Sequence, residues 1–206
     1  MRDEKVGEFL ARVADRVPTP GGGAAAALHA ATGAALLGMV ARFSTGQDYA
    51  EQEATVGRVI AEADDLRDIA FRLAEADAAA FSAVADAYRL PKSTETERSA
   101  RSQAVARALV GAAWPPAKLI GVAGMVADLA GVMAEIGNRN VLSDVGAAAE
   151  AARAAAATAR MTVEINLAGI TDEQASLEMI AETDKAEDII ERAEKITAAV
   201  REQIRS

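Results

Sequence analysis

The sequence predicts an all-α protein, and three observations support this class. Alanine dominates a composition that is 51% hydrophobic but only 3% aromatic. Apolar residues recur at intervals of three and four along long segments, and no segment has the alternating pattern of a strand. Prolines and glycines separate these segments. We therefore predict a single domain over residues 1–206, a bundle of about seven mostly antiparallel helices with long central helices.

Each predicted helix is delimited by its own signals. Pro18 and Pro20 end the first helix, and Pro91 ends the third. A capping box of Thr94 and Glu97 begins the fourth helix, and the pair Pro115–Pro116 ends it. The seven predicted helices cover about 3–16, 21–44, 48–89, 94–113, 117–136, 143–167 and 171–206.

The remaining predicted helix starts rest on polar residues that precede apolar segments. Asp48 with Glu51 has the capping-box pattern and should begin the third helix. Ser143 and Asp144 should cap the sixth helix, and Thr171 with Gln174 should begin the last.

The composition excludes several function classes. A net charge of −9 and a pI of about 4.8 argue against a nucleic-acid partner. The chain has no cysteine and one histidine, His29, so disulfides, thiolate metal sites and multi-histidine metal sites are excluded. The segment MRDEKVGEF lacks the apolar core of a secretory signal, so we expect a cytoplasmic protein.

The second helix begins with three glycines and continues for about twenty uncharged residues. This segment is long enough to span a membrane, but it is mostly alanine and glycine and is interrupted by His29 and Thr32. We interpret it as the buried central helix of a bundle and expect no membrane partner. Because Gly21, Gly22 and Gly23 lack side chains, a ligand could approach the free N–H groups at the helix start.

Asp77 is the one acid on the apolar face of the third helix, with Leu73 and Phe81 one turn away on either side. Burial there should raise the pKa of its carboxyl unless a partner compensates. The position suits a general acid or base, and it suits a structural polar contact to a neighbouring helix equally well.

Other candidate residues lie next to helix breaks. Asn138 and Asn140, in the loop GNRN, carry amides that can read the edge of a flat heterocycle, although ordinary turn chemistry explains them too. Asp144 could serve as an acid or as a first-turn residue. Lys92 follows Pro91 within a locally basic region and could bind an anion, or it could be an ordinary surface lysine.

Five segments occur in an order that resembles the cyclodeaminase/cyclohydrolase family of folate enzymes. They are PTPGGGAAAAL at 18–28, DAAAF at 77–81, LPK at 90–92, GNRNVLSDVG at 137–146 and VEINL at 163–167. The resemblance spans nearly the whole chain. It implies an all-α, typically dimeric protein that binds a tetrahydrofolate derivative as substrate, without a metal or another cofactor.

The resemblance also implies which residues line the folate cleft. The implied substrate-binding residues are Gly21, Gly22, Gly23, Asn138, Asn140, Ser143 and Asn166. The implied catalytic residues are Asp144, Asp77 and Lys92. We hypothesise that the two aspartates divide the general acid and base work and that Lys92 tunes one of them or binds an oxygen.

Two reactions remain open under this resemblance. The first is hydrolysis of 5,10-methenyltetrahydrofolate to 10-formyltetrahydrofolate, which we favour because no formiminotransferase segment is attached. The second is ammonia-releasing cyclisation of formiminotetrahydrofolate. Ala24 stands where the family often has serine, and Thr162 where it often has asparagine. These departures leave a further alternative, a helical folate-binding or scaffold protein without catalysis.

Overall fold

The protein, described here by a computed structural model over residues 4–206, contains six α-helices. They are α1 (Val6–Ala14), α2 (Gly22–Arg42), α3 (Glu53–Arg89), α4 (Glu95–Ile136), α5 (Leu142–Leu167) and α6 (Glu173–Arg205). Two short 3-10 turns, Gln47–Gln52 and Arg139–Val141, precede α3 and α5. No strand occurs in this part of the chain, which confirms the all-α class. Asp3, the predicted first residue of the first helix, lies outside the described range.

Six helices replace the predicted seven because α4 runs through Pro115 and Pro116 without a break. Each proline removes one backbone hydrogen bond and crowds the preceding turn, so a break was the expectation from local rules. Both prolines are buried, and so are Ala112, Ala113 and Ala117 around them. Packing of this segment inside the bundle keeps the two halves in one helix.

The predicted helix ends are partly right. The side chain of Thr94 accepts a hydrogen bond from Glu97 N, and Glu97 binds the Thr94 backbone in return, so this capping box is confirmed. The capping box of Asp48 and Glu51 is wrong, because both residues lie in the 3-10 turn that precedes α3. Asp172, one residue after the predicted Thr171, caps α6 by accepting from Ala175 N.

The start of α5 also differs from the prediction. Ser143 and Asp144 are the second and third residues of the helix rather than its cap, and Val141 occupies the cap position without a side-chain hydrogen bond. The polar cap is displaced to Asn138, whose side chain accepts from Asn140 N and begins the preceding 3-10 turn. The side chain of Asn138 therefore provides the polar cap that the sequence predicts at Ser143.

Helix α2 is the axis of the bundle and packs against α3, α4 and α5. Its contact faces are built from small residues, since Ala26, Ala30 and Ala34 are completely buried. Alanine lets neighbouring backbones approach closely, which suits a core with few aromatic side chains. Longer side chains such as Leu37 and Val40 fill the space near its C-terminal end.

Two helices are long and apolar enough to cross a membrane by length and composition alone. They are Gly22–Arg42, with a mean hydropathy of 1.6, and Glu95–Ile136, with 1.8. In both, 61% of the apolar window is buried inside the protein. Core helices of a bundle meet the same criteria, and the contacts of α2 and α4 with their neighbours account for their apolar character.

Helices α3 and α4 extend beyond the N-terminus of α2 as an antiparallel pair. Gly23, in the first turn of α2, lies against Asp77, and α3 then continues to Arg89, about 18 Å further at 1.5 Å per residue. We call residues 78–111 the overhang. Ala87 is the single buried residue in this range. The overhang therefore leaves an open space in front of the glycine-rich start of α2.

Candidate active site

A cleft of about 420 Å³ occupies the space where α2 begins. The glycine-rich turn forms its floor, α3 and α4 form one wall, and the C-terminal part of α5 forms the other. Its lining residues are Pro18, Thr19, Gly21, Gly22, Gly23, Asp77, Phe81, Val84, Ala112, Thr158, Met161, Thr162, Ile165 and Asn166. This volume suits a small organic ligand, and the wall is largely apolar with a few polar groups, as in most ligand sites.

Asp77 projects from α3 directly onto the backbone of Gly23. A methyl group built on Gly23 would overlap both oxygens and the carboxyl carbon of Asp77. Gly23 has an ordinary helical backbone, so the requirement for glycine here is one of space rather than of conformation. The third glycine of the motif thus admits a carboxylate to the first turn of α2.

The Asp77 carboxylate is partly desolvated and lacks a compensating partner within the described part of the chain. No residue within 4–206 donates a hydrogen bond to it or forms an ion pair with it. Burial raises the pKa of the Asp77 carboxyl above its ordinary value. The positive end of the α2 dipole favours the charged form and opposes that shift. A carboxyl whose pKa is raised can act as a general acid as well as a general base.

A row of polar side chains on α5 faces Asp77 across the cleft. Thr158, Thr162 and Asn166 are spaced four residues apart and therefore share one face of the helix. Thr162 Oγ1 donates to Thr158 O at 2.9 Å, and Asn166 Nδ2 donates to Thr162 O at 2.9 Å. These bonds use the hydrogen of Thr162 and one amide hydrogen of Asn166. The oxygens of both side chains remain available as acceptors for a ligand.

The cleft unites five of the residues expected from the sequence. Gly21, Gly22 and Gly23 line it together with Asp77 and Asn166. These residues come from three different helices and from positions as far apart as 21 and 166 in the chain. The structure therefore places the glycine motif, the acid of the apolar stripe and the end of the VEINL segment at one site.

The residues of the GNRN–SD segment lie at the opposite end of the bundle. Asn138 Nδ2 donates to Phe43 O at 2.9 Å, and Asn138 N donates to Ser44 Oγ at 2.8 Å, so this loop is fastened to the C-terminal end of α2. The cleft lies at the N-terminal end, about 30 Å away along a helix of 21 residues. None of Asn138, Asn140, Ser143 and Asp144 lines the cleft.

This separation corrects the expected pairing of the two aspartates. Asp144 lies in the first turn of α5, and Asn166 lies near its end, about 33 Å further along the axis. General acid and base groups need hydrogen-bond reach of the reacting atoms or one bridging water. Within one chain, Asp77 and Asp144 therefore cannot act on the same reacting centre.

Lys92 also lies away from the cleft. It is exposed in the loop between α3 and α4, beyond Arg89 at the tip of the overhang. Asp77 is at least about 18 Å away along α3, so Lys92 of the same chain cannot tune its carboxyl by direct contact.

Within residues 4–206, no group of three or more His, Asp or Glu side chains is placed to hold a metal ion.

Several lining residues escaped the sequence analysis. Phe81 and Val84 belong to the apolar stripe of α3 and look like core residues until the overhang exposes them to the cleft. The row of Thr158, Thr162 and Asn166 had a usable signal, since polar residues at a spacing of four stand out in an alanine-rich helix. Only the position of Gly22, where α2 begins, identifies which face of α5 is left uncovered.

The two departures from the family pattern have different surroundings. Ala24 is buried, with 1% of its surface exposed, and does not line the cleft. Thr162 does line it, and its hydroxyl oxygen lies 3.8 Å from where a methyl on Gly22 would stand. Threonine at 162 therefore keeps a polar atom at the cleft wall.

Comparisons with known proteins identify a family for this chain. The model of the formiminotransferase-cyclodeaminase family matches residues 5–185. A methenyltetrahydrofolate cyclohydrolase of Methylorubrum extorquens is 39% identical over 181 residues, 87% of each chain. The formimidoyltransferase-cyclodeaminase of Rattus norvegicus is 34% identical over 83% of this chain, which spans 32% of that protein.

A solved structure gives the same result at the level of the fold. Formiminotetrahydrofolate cyclodeaminase from Thermotoga maritima superposes with a TM-score of 0.83 and 32% identity, covering 98% of this chain and 96% of that one. These matches confirm the resemblance that the five sequence segments indicate. The chain belongs to the formiminotransferase-cyclodeaminase family.

Proposed function

We propose that this protein is a methenyltetrahydrofolate cyclohydrolase that hydrolyses 5,10-methenyltetrahydrofolate to 10-formyltetrahydrofolate. One observation carries the proposal: the half-buried carboxyl of Asp77, which has no hydrogen-bond or ion-pair partner among residues 4–206, faces the cleft beside the start of α2. The similarity to a cyclohydrolase over 87% of both chains supports this reaction.

The charge of the substrate suits this carboxylate. The methenyl bridge between N5 and N10 is an amidinium cation, and a nearby cation stabilises the ionised form of Asp77 against the effect of burial. When water adds to the bridge carbon, the cationic charge disappears from the ring. The carboxylate then becomes a stronger base at the moment when the attacking water must lose a proton.

Proton transfer through Asp77 accounts for both halves of the reaction. Asp77 accepts a proton from the attacking water as the carbon–oxygen bond forms and the bridge carbon becomes tetrahedral. It returns that proton to N5 as the carbon–N5 bond breaks, and the remaining hydroxyl loses its proton to solvent. The net change is addition of one water and release of one proton, which leaves a formyl group on N10.

The surrounding residues hold the substrate for this step. The N–H groups at the start of α2 can bind the pterin edge or an oxygen. The oxygens of Thr162 and Asn166 can accept hydrogen bonds from the pterin amino and N–H groups. The apolar side chains of Phe81, Val84 and Ile165 reduce the access of bulk water and preserve the electrostatic effect of Asp77.

Formiminotetrahydrofolate cyclodeaminase activity is the second candidate, favoured by the similarity to the Thermotoga maritima enzyme over nearly the whole chain. In that reaction N10 attacks the formimino carbon, and the departing nitrogen leaves as ammonia after protonation. A carboxyl with a raised pKa can supply that proton. Both reactions pass through a tetrahedral carbon flanked by nitrogen atoms, so one site can serve either.

The test is a turnover assay on both substrates. Loss of methenyltetrahydrofolate absorbance measures hydrolysis, and ammonia release from formiminotetrahydrofolate measures cyclodeamination. Asp77→Asn should reduce kcat by about 100- to 10,000-fold, the usual contribution of general acid–base catalysis. Asp86→Asn, a control on the exposed face of α3 where Asp86 pairs with Arg89, should retain full activity.

Two results would defeat the enzyme proposal or the site assignment. If the wild-type protein accelerates neither reaction over buffer, a folate-binding or scaffold role without catalysis remains. If Asp77→Asn keeps full activity, the reacting carbon lies elsewhere.

We also propose that the reaction proceeds in the cytoplasm without a metal or added cofactor, so that a chelator leaves the rate unchanged.

We further propose a homodimer. Helix α1 supports this, because its apolar residues Val6 and Leu10 are 67% and 54% exposed while Phe9 is buried against the protein. A helix with an uncovered apolar face favours association. Light scattering at micromolar concentration should give twice the chain mass of 21.3 kDa, and a monomer mass would contradict the proposal.

A further inference from the structure

The face of α3 that forms the cleft wall continues along the overhang. Asp77, Phe81 and Val84 line the cleft, and their spacing of four and three residues places Tyr88 next on the same face. Tyr88 is 52% exposed, about 16 Å from Asp77 along the helix axis. Side chains on a helix lean toward its N-terminus, so the Tyr88 ring leans toward the cleft.

Arg101 reaches Tyr88 from the facing helix of the overhang. Its Nε donates to Tyr88 O at 3.2 Å, and its guanidinium carbon lies 5.4 Å from the centre of the Tyr88 ring. Arg101 shares a face of α4 with Ala112, which lines the cleft eleven residues later. The tyrosine and the arginine therefore lie together at the outer end of the surface that begins at Asp77.

Arg101 differs from its neighbours because it has no ion-pair partner among the described residues. No carboxylate among residues 4–206 forms an ion pair with it, although the side chain is half-buried. Neighbouring arginines of the overhang differ in this respect, since Arg89 pairs with Asp86 at 2.7 Å and Arg98 pairs with Glu95 at 2.6 Å. A fixed guanidinium with free N–H groups is suited to a carboxylate ligand.

The proposed substrate is long enough to extend from Asp77 toward the pair of Tyr88 and Arg101. In a folate, a p-aminobenzoyl ring and an amide separate N10 from the glutamate α-carboxylate, a distance of about 10 Å by ordinary bond lengths. With the bridge carbon beside Asp77, the benzoyl ring would lie over Phe81 and Val84. The glutamate carboxylates would then lie within reach of a side chain anchored at Tyr88.

We propose that Arg101, held by Tyr88, binds the glutamate carboxylate of the folate substrate and is a specificity residue for the pteroylglutamate tail. This inference rests on the proposed function and extends the site from the reacting carbon to the far end of the substrate. The apolar stretch between Asp77 and Tyr88 holds the benzoyl ring, and Arg101 distinguishes a pteroylglutamate from a pteroate.

The experiment compares two substrates that differ only in the tail, 5,10-methenyltetrahydrofolate and the glutamate-free 5,10-methenyltetrahydropteroate. Arg101→Gln should raise KM for the first by about 10- to 100-fold, as expected for loss of a charge-assisted pair, with little change in kcat. It should leave KM for the second unchanged. Arg101→Lys should recover part of the loss, and Arg98→Gln, which removes an arginine already paired with Glu95, should behave as wild type.

Two outcomes would overturn the inference while leaving the proposed function intact. In the first, Arg101→Gln changes KM for neither substrate. In the second, Arg101→Gln raises KM equally for both substrates. That result would mean that Arg101 maintains the structure of the overhang and does not bind the glutamate tail.

Failure of the proposed function gives a different result, because the wild-type protein would then turn over neither substrate. Calorimetric titration with the unreactive analogue 5-formyltetrahydrofolate still tests Arg101 in that case. Weaker binding by Arg101→Gln than by wild type and Arg98→Gln supports the inference, and equal binding or no binding at all refutes it.

Discussion

The contact between Gly23 and Asp77 determines how the cleft works at the scale of single residues. A helix start next to a carboxylate is common at protein surfaces, but here the carboxyl carbon lies where a side chain at position 23 would begin. The absence of one methyl group therefore lets an acid on α3 reach the free N–H end of α2. Both groups can then act on the same bound molecule.

Gly23→Ala tests this contact directly. The added methyl would overlap the Asp77 carboxyl group, so the carboxyl must move and kcat should fall by about 100-fold or more. Circular dichroism should show unchanged helix content, because alanine favours a helix more than glycine does. Gly57→Ala is the control: its methyl meets no atom within 4 Å, so activity should be unchanged and Tm slightly higher. Normal kcat in Gly23→Ala would contradict the assigned contact.

Asp77→Asn should also change the pH dependence of stability. Because burial raises the folded-state pKa of Asp77, the folded protein binds more protons than the unfolded chain between the unfolded and folded pKa values. The free energy of unfolding of the wild-type protein therefore falls as pH rises through this window. It stays at the lower value at higher pH.

Asparagine does not ionise, so this decrease in the free energy of unfolding is absent from Asp77→Asn. The variant should therefore be more stable than wild type at pH 7. The difference should vanish below about pH 3.9, the ordinary aspartate pKa, where the carboxyl is protonated in both states. Urea unfolding of both proteins across this pH range measures the effect. A variant that is less stable than wild type at pH 7 would indicate that a partner in the folded protein stabilises the charged carboxylate.

At the scale of elements, the overhang is the part of the fold that forms the site, and helix ends define it. α2 begins only at Gly22, while α3 and α4 extend past this point, so the apolar stripe of α3 emerges from the core and becomes a binding surface. The overhang has few buried residues, and its stability depends strongly on local interactions such as the capping box of Thr94 and Glu97.

Thr94→Ala should therefore destabilise the start of α4. Loss of a helix-capping hydroxyl costs about 1 kcal/mol, and hydrogen exchange of the first-turn amides of α4 should accelerate. Ser93→Ala is a matched control, because only the backbone N–H of Ser93, and not its side chain, binds Glu97. Equal exchange rates in the two variants would indicate that packing rather than the cap holds this end.

At the scale of the whole molecule, the length of the helices separates two groups of residues that the sequence resemblance joins. The glycine turn and Asp77 lie at one end of the bundle, and the GNRN–SD segment lies about 30 Å away at the other. Asn138 has a structural role there, since it links the loop before α5 to the end of α2.

Asp144→Asn distinguishes a site formed by one chain from a site shared between two. If the cleft of a single chain contains all the catalytic groups, this variant should keep kcat near the wild-type value. A large loss with an intact fold would mean that Asp144 of a second copy reaches the cleft. Mixing Asp144→Asn with Asp77→Asn would then restore part of the activity, because each heterodimer contains one site with both aspartates intact.

The sequence by itself determined the helical class, most helix limits, the Thr94 cap and the unusual position of Asp77. These depend on local periodicity and on end signals, which a single chain segment contains. Tertiary structure alone decided that α4 continues through Pro115 and Pro116, because burial outweighs the local cost of the prolines. It also decided which motifs share the cleft. Periodicity identifies the face on which a residue lies, but the position along a bundle depends on where each helix ends and on which neighbour it contacts.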